Sequence, residues 1–225
     1  AFQNCSNLTD IVIPEGVTVI ENYTFSGCTS LESINIPDTV TSISSWAFEN
    51  CTGLIEFNIP STVEHFGTTP FNGCPGHLHI NCDIPDVANF RESIFFRSNF
   101  SEVTFGDSVS SIGDYAFHYK NELLEYHHQL NKVTFGKNIK RIGKYAFGNC
   151  SRLTSLVIPD GITVIGDYAF SNCSALTSLV IPEGVTSIGN AAFYNCSRLI
   201  ELKIPSTVLS TVFFISVLKF EILFM

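Results

Sequence analysis

At 225 residues, 45% of them hydrophobic and only 15% charged, the chain has enough apolar material to bury a substantial core, which excludes a disordered segment. The formal net charge of −9 argues against nucleic acid as a partner, because phosphate binding needs clustered Lys and Arg. Phe occurs 20 times beside a single Trp and a single Met, the mark of one bulky slot filled repeatedly.

That slot opens the chain. Phe2, Phe25, Phe48 and Phe71 lie 23 residues apart, and Cys5, Cys28, Cys51 and Cys74 keep the same spacing. A period of this length marks a solenoid, expected to behave as one cooperative array. Ala1-Phe2 reads as the end of a repeat already under way, without an initiating Met or a secretory signal, so the sequence is expected to be a fragment or processed piece. Residues 1–90 hold ten acids and no Lys or Arg, against eleven acids and twelve bases in 91–225. Such asymmetry marks either a polar partner surface or a plain solvated face.

The middle is irregular yet keeps phase. Residues 74–96 are degenerate, and the 46 residues from Phe71 to Phe117 make two periods, with Phe96 as the displaced marker between them. There the lattice puts His77 in a Leu slot, His79 on an outward strand column and Cys82 in an inward strand slot. Phe117 to Phe147 is 30 residues, one period plus a seven-residue insertion within about 118–131. Leu123, Leu124 and Leu130 in that insertion are compatible with a helical turn.

The lattice then returns with Phe147, Phe170 and Phe193 and with Cys150, Cys173 and Cys196. Within a unit, Leu153, Leu156 and Ile158 follow the L-x-x-L-x-L spacing of a leucine-rich repeat. Leu156 and Ile158 are predicted to point inward from a short strand while Ser155 and Val157 point out. Pro159-Asp160-Gly161 supplies the turn, since Pro presets φ and lacks the amide hydrogen that would continue the ladder. Ile162 and Ile165 form a second apolar segment, closed in several coils by Gly113, Gly143, Gly166 or Gly189. Helical periodicity never persists, so helix should be limited to single turns. The expected fold is a repeat solenoid of about 23 residues per coil, built mainly from short parallel strands. It should occupy residues 1–207 in about nine coils, the last incomplete, followed by an apolar tail at 208–225. Lys219 and Glu221 interrupt that tail, which reads as an atypical or truncated end and not as a membrane helix.

These units, IPDGITVIGDYAFSNCSALTSL in particular, resemble the BspA-like leucine-rich repeats. The likeness rests on I-P-x-x-(V/I)-x-x-I-G-x-x-A-F-x-x-C and covers residues 2 to about 207. Phe105-Gly106 and Phe135-Gly136 depart from it, replacing Ile-Pro in two coils. The resemblance implies a secreted or surface-attached protein concerned with adhesion to matrix proteins, host cells or other microbes. It brings no catalytic residues.

The residues themselves point the same way. Seven of the eight cysteines share one lattice slot, which favours buried free thiols over a disulfide framework. Cys74-x2-His77-x-His79-x2-Cys82 has zinc-compatible ligand types, but the lattice aims the four in different directions, and no metal or cofactor is expected. Asn4, Asn50, Asn149, Asn172 and Asn195 each begin Asn-Cys-Ser/Thr, formally a glycosylation acceptor and more simply a turn residue of the repeat. Known catalytic and nucleotide-binding motifs are absent. The candidate partner-binding residues are the one basic cluster, Lys132, Lys137, Lys140, Arg141 and Lys144, with Glu56, His79 and Glu102 on the outward strand column. The spacing also puts Asn35, Asn58, Asn81 and Thr104 in the outward column next to that of Glu56, His79 and Glu102, as a further part of the expected recognition surface. Lys137, Lys140 and Arg141 flank the core slots Ile139 and Ile142 without filling them, so reversing their charge is expected to leave stability unchanged. The function expected is that of a non-catalytic protein-binding scaffold in a secreted or cell-surface, adhesin-like protein, with a macromolecular partner. An intracellular interaction scaffold and a structural spacer for another domain stay open beside it.

Overall fold

The structure, a computed structural model, describes residues 1–118 and 129–208, together with the backbone of 210–211 and 221–224. Each repeat closes one turn of a solenoid, so residues one period apart in sequence become neighbours in adjacent coils. Val19 pairs with Ser42, Val164 with Ser187 and Ser178 with Glu201, all in parallel register.

Every turn feeds two columns of strands. The first column begins with the bridge between Val12 and Asn35 and continues through Glu56–Ile59, Pro75–Ile80, Asn99–Phe105 and Lys132–Thr134. A bridge from Lys132 to Ser155 carries it on toward Ser178–Val180, Glu201–Ile204 and Glu221–Phe224. The second column consists of two-residue strands, among them Val19–Ile20, Ser42–Ile43, Arg141–Ile142, Val164–Ile165 and Ser187–Ile188. Ser210–Thr211 and Glu221–Phe224 add one further parallel strand to each column. Among the described residues, helix is limited to a single 3-10 turn at Phe90–Glu92.

Strand alternation sorts the side chains as the spacing predicts. Leu156 and Ile158 are buried, whereas Val157 between them is 82% exposed. The core is a ladder of phenylalanines. Phe2, Phe25, Phe48, Phe71, Phe95, Phe117, Phe147, Phe170 and Phe193 stack in eight successive pairs, centroids 4.5–5.9 Å apart. The marker between Phe71 and Phe117 is therefore Phe95, not Phe96. The buried Ser93 hydroxyl donates to the Ala116 carbonyl at 2.6 Å, and Ile94 and Phe95 take the places that Ala116 and Phe117 hold one coil on. Phe96 is left half-buried against Phe90, with the Arg97 guanidinium over its ring.

The insertion adds no coil, since Phe117 still stacks on Phe147 at 5.6 Å. His118 and Leu130 are buried beside it, while Leu123 and Leu124 lie outside the described residues.

Three small slots set the turns. Asn4, Asn50, Asn149, Asn172 and Asn195 have left-handed φ between 56 and 66°, and Gly27 and Gly73 fill the equivalent positions at 76 and 77°. Asn tolerates this region because its short carboxamide can bond locally. Here it bonds between coils, Asn172 donating to Asn149 at 2.6 Å and Asn195 to Asn172 at 2.9 Å. A second left-handed slot, unforeseen in the sequence, holds Tyr23, Trp46, Tyr115, Tyr145 and Tyr168, with Tyr23 stacked on Trp46, Tyr115 on Tyr145 and Tyr145 on Tyr168 at 4.6–5.2 Å. The third is the Gly after the second strand. A Cβ on Gly166 would lie 2.6 Å from the Lys144 amide nitrogen, so the coils come together there only without a side chain.

The cysteine slot has its own chemistry. The thiols of Cys28, Cys51, Cys74, Cys173 and Cys196 donate to a Phe carbonyl of the preceding coil at 2.9–3.4 Å. A small apolar body with one weak donor satisfies a carbonyl there without opening a cavity. Burial pushes the Cys28 thiol up to about 11 and the Cys196 thiol up to about 12. Two cysteines differ from the lattice reading. Cys5 is exposed, unlike the other cysteines of its slot. Cys82 is buried, but just past the strand Pro75–Ile80 and not in an inward strand slot, which Ile80 fills.

Candidate binding surface

The outward side chains of the first column make a polar face across the third to sixth coils. One file runs through Glu56, His77, Glu102 and Lys132, and the next through Asn58, His79, Thr104 and Thr134. This corrects the lattice reading at the fourth coil. His77 is not in a core slot; it faces outward opposite Glu56 and Glu102, and His79 moves into the neighbouring file. The reason is a shortened turn. Six residues separate Cys51 from Phe57, but only four separate Cys74 from Leu78, and Phe57 and Leu78 are register partners.

The two imidazoles lie 4.0 Å apart, centroid to centroid, and their Nε2 atoms diverge. His79 meets the Glu56 carboxylate at 2.8 Å in one neighbouring coil, and His77 meets the Thr104 hydroxyl at 2.8 Å in the other. Partial burial, and then the neighbouring His79, hold the His77 pKa below its ordinary value. Cys74 and Cys82 are buried behind this face, and no group of three or more His, Cys, Asp or Glu among the described residues is arranged to hold a metal ion.

The basic cluster does not form one patch. Its members wrap around a coil, Lys132 in the first column, Lys137 in the following turn, Arg141 in the second column and Lys144 beyond it. Three of them sit against acids of earlier coils. Lys132 contacts Glu102 at 2.9 Å and Lys137 contacts Asp107 at 2.7 Å. Arg141 bridges Asp86 at 2.8 Å and Asp114 at 2.5 Å. The hydrogen bonds from Lys132 and Lys137 hold the Glu102 and Asp107 carboxyls below their ordinary values. Lys144 differs again, its ammonium 5.8 Å from the centre of the Tyr145 ring while its backbone amide bonds Asp114. Lys140 is exposed and has no ion-pair partner among the described residues. The expectation that Arg141 can be reversed without loss of stability therefore does not hold, because reversal would set a third acid against Asp86 and Asp114.

A shallow groove of about 460 Å³ crosses the second to fifth coils on this face, lined by Ser33, Asn35, Glu56, Asn58, His79, Asn81 and Thr104 among others. Asn35, Asn58, Asn81 and Thr104 are the residues of the second outward column expected from the spacing, its three carboxamides at intervals of 23 and each following an inward apolar residue.

A parallel solenoid with this repeat defines the class, a leucine-rich repeat protein. The chain belongs to the BspA type leucine rich repeat region family, whose model matches residues 1–124 and 120–217 in six copies. No curated protein matches the chain in sequence. Among solved structures it is similar to a leucine rich repeat protein of T. pallidum, with 25% identity, a TM-score of 0.54, and 85% of this chain and 78% of that chain covered. It is also similar to a leucine rich cell surface protein of Faecalibacterium prausnitzii A2-165, with 28% identity and a TM-score of 0.48 over 89% of this chain. This chain spans 61% of the length of that protein.

Proposed function

We propose that the chain is a non-catalytic scaffold that binds a protein partner through the first-column face, within a secreted or cell-surface, adhesin-like protein. One observation carries the binding reading. Core slots repeat coil after coil, whereas the outward files change from Glu to His to Lys, and from Asn to Thr to Val, on a rigid parallel sheet. Val157 and Val180, 82% and 53% exposed one coil apart, would add apolar contacts to the polar ones. The surface location rests on the family, whose members are chiefly secreted or surface-attached. Candidate partner contacts are Glu56, His79, Glu102, Lys132, Lys137, Lys140, Arg141 and Lys144, the exposed Lys140 foremost among the bases.

A binding survey against matrix proteins, cell surfaces and soluble lysate tests this. Capture of extracellular ligands supports the adhesin reading. Capture of cytosolic ligands alone would replace it with an intracellular scaffold, and capture of nothing would leave a spacer.

A further inference from the structure

We propose that the groove across the second to fifth coils binds an extended, positively charged segment of the partner protein. This rests on the reading of the first-column face as a binding surface and names what that face takes.

The hydrogen-bonding groups fit an extended backbone. Asn58 accepts from Asn81 at 2.8 Å through Oδ1, which leaves its amide hydrogens for an incoming acceptor. Asn35 makes no side-chain hydrogen bond among the described residues. Carboxamides offer a donor and an acceptor side by side, the pair that each peptide unit also presents. Four coils at sheet spacing span about 14 Å, the length of roughly four extended residues.

The sign of the ligand follows from charge. One Glu56 carboxylate oxygen lies 2.8 Å from His79 Nε2, and the side chain is 66% exposed, so the carboxylate can accept from a guanidinium or ammonium. Residues 1–90, which supply the first coils, hold ten acids and no Lys or Arg. The groove lining holds the Glu56 carboxylate and no Lys or Arg, so the field there favours a cation. The nearest base along the file, Lys132, is paired with Glu102 at 2.9 Å. Phosphorylated or sulfated ligands are repelled by the same field. A neutral glycan lacks its usual stacking surface, because no Phe, Tyr or Trp among the described residues lines the groove.

The test is fluorescence anisotropy on the whole chain with a labelled peptide of alternating Arg and Ser, against a peptide of alternating Glu and Ser and against maltoheptaose as competitor. The Arg-Ser peptide should bind and the other two should not. Glu56→Gln should weaken binding about tenfold and Asn58→Ala about threefold. Glu64→Gln removes the same charge beside the second-column strand His65–Phe66 and should stay within about twofold of the unmodified chain. Melting curves on each variant separate lost binding from lost fold. Equal losses in Glu56→Gln and Glu64→Gln would reduce the effect to net charge and overturn the groove. Binding of the Glu-Ser peptide, or displacement by maltoheptaose, would overturn the assigned chemistry. If the Arg-Ser peptide fails while a captured protein is still lost on substitution at Thr134 or Val157, this proposal falls and the wider reading of the face stands.

Discussion

Single positions in this repeat are chosen by what the next coil puts beside them. The thiol slot shows it best: the buried sulfur meets a Phe carbonyl one coil back. The slot itself was legible from spacing. The carbonyl partner was not, because it lies 26 residues away and the period is 23. Native alkylation should modify Cys5 alone, and all eight thiols should react after unfolding; intact mass showing several native adducts would contradict the burial. Alkali gives a second check. Cys82 and Cys196 are raised from 9.0 to about 12, so below pH 9 folded and unfolded chains both keep the proton and the contribution is whole. Above it the unfolded chain loses its proton first, and stability should fall by about 1.4 kcal/mol per pH unit per thiol until about pH 12. Cys196→Ala should make that slope shallower in urea titrations taken between pH 9 and 11. Gly166→Ala places a Cβ 2.6 Å from the Lys144 backbone nitrogen and should cost about 1–3 kcal/mol by the same titration at neutral pH.

At the level of the element, a strand here is held by its neighbours and hardly at all by itself. Two-residue strands such as Val164–Ile165 exist because Arg141–Ile142 and Ser187–Ile188 flank them in parallel. Strand type and facing were legible wherever the period was regular, since Leu156 and Ile158 needed only the alternation rule. The fourth coil was misread because a turn two residues shorter flips no pattern. It slides Leu78 and Ile80 into the inward slots and leaves another alternating pair, His77 and His79, facing out. The ion pairs were hidden for a similar reason. Glu102 and Lys132, and Asp107 and Lys137, are 30 residues apart, the stretched spacing of Phe117 and Phe147, so the acids answer the bases only once the insertion is counted. Arg141, half-buried between Asp86 and Asp114, is a stabilising member of this set. Arg141→Ala should lower stability by about 1 kcal/mol, an amount that shrinks in high salt. A melt unchanged by the substitution would show that the bridge contributes nothing.

For the whole molecule, the phenylalanine ladder is the axis along which stability is shared. Phe170 is fully buried between Phe147 and Phe193, and Phe170→Ala should cost about 3–5 kcal/mol. In a quasi-one-dimensional array that loss should split a single melting transition into two; a single transition merely shifted would mean the coils are coupled more strongly than nearest-neighbour stacking allows. The same rigidity is what makes the first-column face useful, since it fixes many weak contacts in place over several coils. The most direct test of that claim is a paired set of surface variants assayed against a captured protein ligand. Glu56→Ala, Thr104→Ala and Val157→Ala alter the first-column face, and Thr41→Ala, Glu64→Ala and Thr186→Ala alter exposed positions preceding second-column strands. The account requires affinity losses spread across the first set and little change in the second. Losses confined to the second set, or an affinity indifferent to both, would contradict it.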